Sequence, residues 1–113
     1  YGDGSQTRSF ADVTDVVRAL QGLVNEPKAV GDIFNIGNPE EVSILQLAKH
    51  VKQLTGSSSE IVQVPYSEAY EAGFEDMPRR VPDISKINDL TSWTPHLALE
   101  DILKRVITHM EKL

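Results

Sequence analysis

Cysteine is absent from the 113 residues. That excludes a disulfide framework, a thiolate zinc site and a cysteine nucleophile. It fits a reducing, cytoplasmic compartment. An excess of basic residues is absent too. The formal charge is −6 and the eleven lysines and arginines are scattered, so the clustered cations that phosphate backbones require are missing and nucleic acid is not an expected partner. No apolar run approaches the ~20 residues of a membrane helix, and no signal-peptide pattern stands at the start. The acidic group Glu68, Glu71, Glu75 and Asp76 lacks calcium-loop spacing and reads as a solvated face. His50, His96 and His109 stand apart in different elements, so no metal is expected. The chain opens on Tyr1 without a methionine and reads as a piece of a longer protein.

What is present is a set of capped, periodic segments. Residues 12–25 place Val13, Val16, Val17, Leu20, Leu23 and Val24 at helical spacing, with Asp12 or Thr14 as cap and Pro27 as stop. Ser43 and Gln46 form a capping box ahead of Ile44, Leu47, Ala48, Val51 and Leu54, the expected buried face of a second helix ending at Gly56. Short helices are expected from Ile84 to about Leu90 and over the stripe Leu99, Ile102, Leu103, Val106, Ile107, Met110, where Glu100 and Lys104 can pair. Asp32–Ile36 and Ile61–Val64 read as short strands. Between Tyr66 and Asp83 the chain is irregular, with one helical turn at most, because Gly73, Pro78 and Pro82 interrupt it. The expected fold is a small α+β domain, 1–113, of about four helices on a short, incomplete sheet.

Two segments carry the chemistry. Gly2–Phe10 sets Arg8 in an extended run after a glycine turn, and Arg79-Arg80-Val81-Pro82-Asp83 follows the acidic stretch. A guanidinium presents a planar fork of donors suited to paired phosphate oxygens. If Arg8 and Arg80 converge, they clamp a diphosphate. The plainer alternatives are a surface arginine at 8, exposed ion pairs of Arg79 and Arg80 with Glu75 and Asp76, and Asp83 as a helix cap. The Gly2-x-Gly4 pair lacks the strand, third glycine and helix of a dinucleotide fingerprint and reads as a tight turn. No tyrosine is followed by lysine four residues on.

Four stretches occur together in order: Tyr1 to Phe10, Phe34-Asn35-Ile36-Gly37-Asn38-Pro39-Glu40-Glu41, Arg80 to Lys86, and Trp93-Thr94-Pro95. Their pattern resembles the C-terminal, substrate-binding part of extended short-chain dehydrogenases/reductases acting on nucleotide sugars, in the branch of UDP-glucuronate decarboxylases and UDP-glucose 4-epimerases. Tyr70 to Asp76, leading to Arg80, is also similar to a decarboxylase of lipid A modification. The resemblance implies that Arg8 contacts the diphosphate and that Phe10 stands near the nucleotide. It puts Phe74 where the decarboxylase has a substrate-contacting tyrosine, and Arg80 on the diphosphate or sugar as a possible proton donor. Asp83 then hydrogen-bonds a substrate hydroxyl. The hydroxyl that Phe74 lacks moves the expectation toward 4-epimerisation of a UDP-sugar. The resemblance further implies NAD held by an N-terminal Rossmann domain that is not in this chain, no turnover by the chain alone, and a full-length homodimer whose contacts lie on that domain. The alternative is a non-catalytic α+β interaction module. Apolar surface left open by a missing domain would also tend to find another copy.

Overall fold

The computed structural model describes every residue except Phe74. Its contacts divide the chain into two compact units, one of residues 1–8 and 41–80 and the other of 9–40 and 81–113. Among the described residues the elements are α+β as expected, with five α-helices, one more than the four anticipated, and a two-stranded sheet.

In the first unit the chain enters through a turn whose Gly2 and Gly4 have φ of 72° and 75°, a region that glycine occupies without a Cβ penalty. Asp3 braces it by accepting from the Ser5 amide and hydroxyl. Space demands glycine as well: a Cβ at Gly4 would lie 2.9 Å from the Leu45 Cβ. Strand β1 (Thr7–Ser9) then pairs with β2 (Glu41–Ser43). Helix α2 (Ile44–Thr55) starts at the predicted box, with the Ser43 hydroxyl accepting from the Gln46 amide and the Gln46 side chain accepting from the Ser43 amide. It stops at Gly56, φ 61°. Its apolar face is less covered than the pattern suggested. Ile44, Leu47, Ala48 and Val51 line an open groove of about 390 Å³ with Ser57 and Ile61. Residues 61–64 carry no strand pairing; the Val64 carbonyl instead accepts from the Gly2 amide at 2.8 Å. Helix α3 (Tyr66–Ala69) is the single turn that proline and glycine allow.

The second unit is built on α1 (Val13–Val24), α4 (Ser85–Thr91) and α5 (Leu99–Met110), with a 3-10 turn at Pro27–Ala29. Asp12 caps α1 through the Thr14 amide, and Arg105 of α5 reaches the same carboxylate at 3.0 Å. The Glu100–Lys104 pair forms along α5. Ala19, Ile87 and Trp93 make the core, with Leu23, Phe34, Ile36 and Ile84 packed on it. Phe34 and Ile36 therefore enter the core from a segment, 32–36, that carries no strand pairing. Phe34 and Ile36 gain their burial without a ladder, while Ile33 just before them stays exposed.

Asp15 is the polar centre of this unit. It is buried, and one carboxylate oxygen accepts the amides of His96 and Leu97 at 2.9 and 3.1 Å while the other accepts Arg18 Nη2 at 2.7 Å. Its own carbonyl accepts the Trp93 indole N–H at 3.0 Å. Burial pushes the Asp15 pKa up, but the Arg18 hydrogen bond and the two amides outweigh it and the group ends below its ordinary value. The Trp93-Thr94-Pro95 turn is thus tied to α1 by one carboxylate and one carbonyl. Of the apolar stripe predicted for α1, Leu23 packs on the core and Val16 is half-buried, while Val13, Val17, Leu20 and Val24 are exposed; the residue α1 buries in the core is Ala19, outside that stripe.

Candidate functional site

Arg8 leaves β1 and its guanidinium is held within the first unit. Nη1 donates to the carbonyls of Thr7 and Met77 at 2.6 and 2.7 Å, and Nη2 donates to Asp76 Oδ1 at 2.5 Å. The pair is about three-quarters covered on both sides. The Thr7 amide donates to the Pro78 carbonyl at 2.9 Å, so the strand and the 76–78 segment are joined by backbone and side chain alike. These bonds use three of the five N–H donors of the fork. Among the described residues, the Nε hydrogen and one Nη2 hydrogen have no acceptor. Charge-assisted bonds hold the guanidinium plane in place, so those two donors point in a fixed direction.

Asp76 is not the solvated acid that its neighbours suggested. Its second oxygen accepts from the Tyr66 hydroxyl at 3.0 Å. Desolvation first, and the Asp76 contact second, push the Tyr66 pKa up, so this phenol stays a donor. Tyr66 stacks obliquely on Tyr70 at 6.0 Å, and Tyr70 meets the Tyr1 ring edge-on at 5.3 Å. Beside them lies a cleft of about 570 Å³ lined by Gly2, Asp3, Gln63, Pro65 and Tyr66. The four-residue spacing of Tyr66 and Tyr70 was visible in sequence. The role of Asp76, 68 residues from Arg8, was not.

Arg79 does not pair with its upstream acids either. Its guanidinium grips Glu41 of β2 with Nε–Oε1 at 3.0 Å and Nη2–Oε2 at 3.1 Å. Glu41 also accepts from the Thr7 hydroxyl. The Arg79 bond, then that hydroxyl, hold the Glu41 carboxyl below its usual value and raise Arg79. Arg80 follows on the same run as an exposed residue of the same unit. Phe10 and Asp83 belong to the second unit. Phe10 is half-buried. Asp83 accepts the Ser85 amide at 2.9 Å at the entrance to α4, and this contact, with the Ser85 hydroxyl, lowers its pKa. The N-cap of α4 is Ile84, without a side-chain cap bond, so Asp83 braces the turn ahead of the helix rather than capping it as expected. Phe74 lies outside the described residues. Among the described residues no group of histidines and carboxylates could hold a metal ion, and no helix is long and apolar enough to cross a membrane.

A family model described as GDP-mannose 4,6 dehydratase matches residues 1–106. The chain belongs to that family. The four motifs in order had pointed to nucleotide-sugar enzymes of the extended short-chain dehydrogenase/reductase type, and the relatives agree. A UDP-N-acetyl-alpha-D-glucosaminuronate decarboxylase of Bacillus cytotoxicus is 44% identical over 107 residues, covering 95% of this chain and 33% of the relative. Among solved structures, a UDP-glucose 4-epimerase with UDP-glucose from Thermotoga maritima superposes with a TM-score of 0.85 at 30% identity, covering 99% of this chain and 34% of the epimerase. A UDP-glucuronic acid 4-epimerase from Bacillus cereus, in complex with UDP-glucuronic acid and NAD, superposes with a TM-score of 0.80 at 27% identity, covering 99% and 34%. The chain thus spans about a third of the length of these family members.

Proposed function

We propose that this chain is the nucleotide-sugar-binding part of an NAD-dependent enzyme acting at C4 of a UDP-sugar, with the diphosphate held by Arg8 and Arg80. The observation that supports it most is the Arg8 fork: three donors fix the guanidinium and two remain for an incoming anion. A diphosphate offers paired oxygens at the spacing such a fork prefers. Arg80, exposed on the run that Arg8 and Thr7 tie down, is the second cation. Its guanidinium can neutralise the remaining phosphate charge and, next to a sugar, deliver a proton.

NAD, held by an N-terminal domain of the longer enzyme, would accept the C4 hydride when bound. The present residues contribute binding and orientation: a pyrophosphate fixed at Arg8 and Arg80 places the sugar at a set reach from that anchor. The residue pattern at Phe74 favoured 4-epimerisation, whereas the relative at 44% identity is a decarboxylase. We weigh the relative more heavily and place decarboxylation of a UDP-hexuronate first, 4-epimerisation second. The chain alone carries no Tyr-x-x-x-Lys pair and is expected to bind without turning over.

The test is equilibrium binding of UDP to this chain, with uridine as the phosphate-free control. Two charge-assisted bonds of ~1.5–3 kcal/mol each sum to ~3–6 kcal/mol, and the cost of association offsets part of that, which places the affinity near the millimolar range, since 1 mM corresponds to about −4.1 kcal/mol. UDP should bind in that range, uridine at least tenfold more weakly. Equal affinities for the two would refute a diphosphate clamp.

A further inference from the structure

Tyr66 is held from several sides within the first unit. Its ring packs on the entry turn where only glycine fits: a Cβ at Gly2, φ 72°, would stand 2.9 Å from the ring carbons. The turn is pinned to the segment ahead of Tyr66. There the Gly2 amide donates to the Val64 carbonyl at 2.8 Å, and Gln63 Nε2 donates to the Asp3 carbonyl at 3.0 Å. The phenol hydroxyl is thereby delivered to Asp76 Oδ2 at 3.0 Å, while Oδ1 of the same carboxylate accepts from Arg8 Nη2 at 2.5 Å. Asp76 gives Arg8 one oxygen and not two.

That division has a consequence for the guanidinium, because a carboxylate beside an arginine frequently takes two parallel N–H bonds. Both Nη1 hydrogens of Arg8 are committed to the Thr7 and Met77 carbonyls. A second oxygen of Asp76 could reach only the Nε hydrogen or the remaining Nη2 hydrogen, the two without an acceptor among the described residues. Those are the same donors that the fork offers to a diphosphate. We infer that Tyr66 is a positioning residue of this site: its hydroxyl holds back the second oxygen of Asp76 and so keeps the Arg8 fork open for an anion. The inference rests on the diphosphate reading of Arg8. Asp76 and a phosphate compete for two hydrogens, and the phenol decides against the carboxylate.

Tyr66→Phe deletes the hydroxyl and keeps the ring on the Gly2 turn. In the 113-residue chain without nucleotide, the Arg8 Nε–Hε resonance should move downfield as the released oxygen engages it. UDP affinity should fall about tenfold, the worth of one charge-assisted bond, and uridine affinity should not change. Adding Asp76→Asn to Tyr66→Phe should then restore most of the UDP affinity, because a carboxamide has a single acceptor oxygen. A hydroxyl that only held the fold together would give the opposite result, with the second substitution adding to the damage of the first. A parent that binds uridine as tightly as UDP sinks the diphosphate reading and this inference with it. A parent that prefers UDP overturns the inference alone if Tyr66→Phe keeps that preference, leaves the Arg8 Nε–Hε signal in place, or is not rescued by Asp76→Asn.

Discussion

Replacing Asp15 with alanine should be among the most damaging single changes in this chain. The substitution removes the acceptor for the His96 and Leu97 amides and for the Arg18 guanidinium in one step. Each buried donor left unpaired costs about 1–3 kcal/mol, and breaking a buried charged contact by removing one partner costs about 3–5 kcal/mol. Arg18 is partly exposed and can recover water, which places the expected loss at about 3 kcal/mol. For a denaturant slope of about 1.5 kcal/mol/M, the urea midpoint falls by roughly 2 M. Trp93 is the only tryptophan, is buried, and donates to the Asp15 carbonyl, so its fluorescence reports this unit directly. Asp15→Asn keeps the shape but not the charge and should lose about half as much. The pH dependence follows from the sign of the shift. A carboxyl held below its unfolded value stabilises fully above pH ~4 and loses that contribution as pH falls through the lower folded value. The parent should therefore destabilise more steeply than Asp15→Asn below pH 4. A midpoint change under 0.5 M for Asp15→Ala, or parallel acid profiles, would refute this account of the 93–97 turn.

Other expectations follow from single observations. Gly4→Ala places a Cβ 2.9 Å from Leu45 at a φ of 75° and should lower stability by about 2 kcal/mol, measured by urea unfolding followed by far-ultraviolet circular dichroism. Ser43→Ala removes the amide acceptor of the α2 capping box and should cost about 1 kcal/mol in the same assay, with Ser43→Thr largely restoring it. Arg8→Lys loses the fork while keeping the charge and should weaken UDP binding about tenfold, since a lost charge-assisted bond is worth ~1.5 kcal/mol or more. Asp76→Asn should lower the Tyr66 titration midpoint, because the carboxylate is among the groups holding the phenol up; ultraviolet difference titration reads it.

The helices were legible because caps and period agreed. Asp12, the Ser43–Gln46 box and Gly56 marked boundaries that the structure keeps. The strands were not. Ile33 to Ile36 and Ile61 to Val64 have strand-like residues, but a strand exists only with a hydrogen-bonded partner, and neither segment is paired. The real ladder joins two three-residue pieces, Thr7–Ser9 and Glu41–Ser43, too short for alternation to register. The site was half visible. Arg8 stood out by its place after a glycine turn, but its partners Asp76 and Met77 are nearly 70 residues away and no local pattern announces them. Glu75 and Asp76 looked like natural partners for Arg79 and Arg80 by spacing. Tertiary packing instead gave Asp76 to Arg8 and Arg79 to Glu41.

The diphosphate clamp is tested most directly by following the arginine Nε–Hε resonances of this chain while UDP is added to tens of millimolar. The account predicts that Arg8 and Arg80 shift together along one saturating curve, while Arg18 and Arg105, committed to Asp15 and Asp12, stay still. Signals from Arg8 and Arg80 that do not move, or that move no more than those of Arg18 and Arg105, would contradict it.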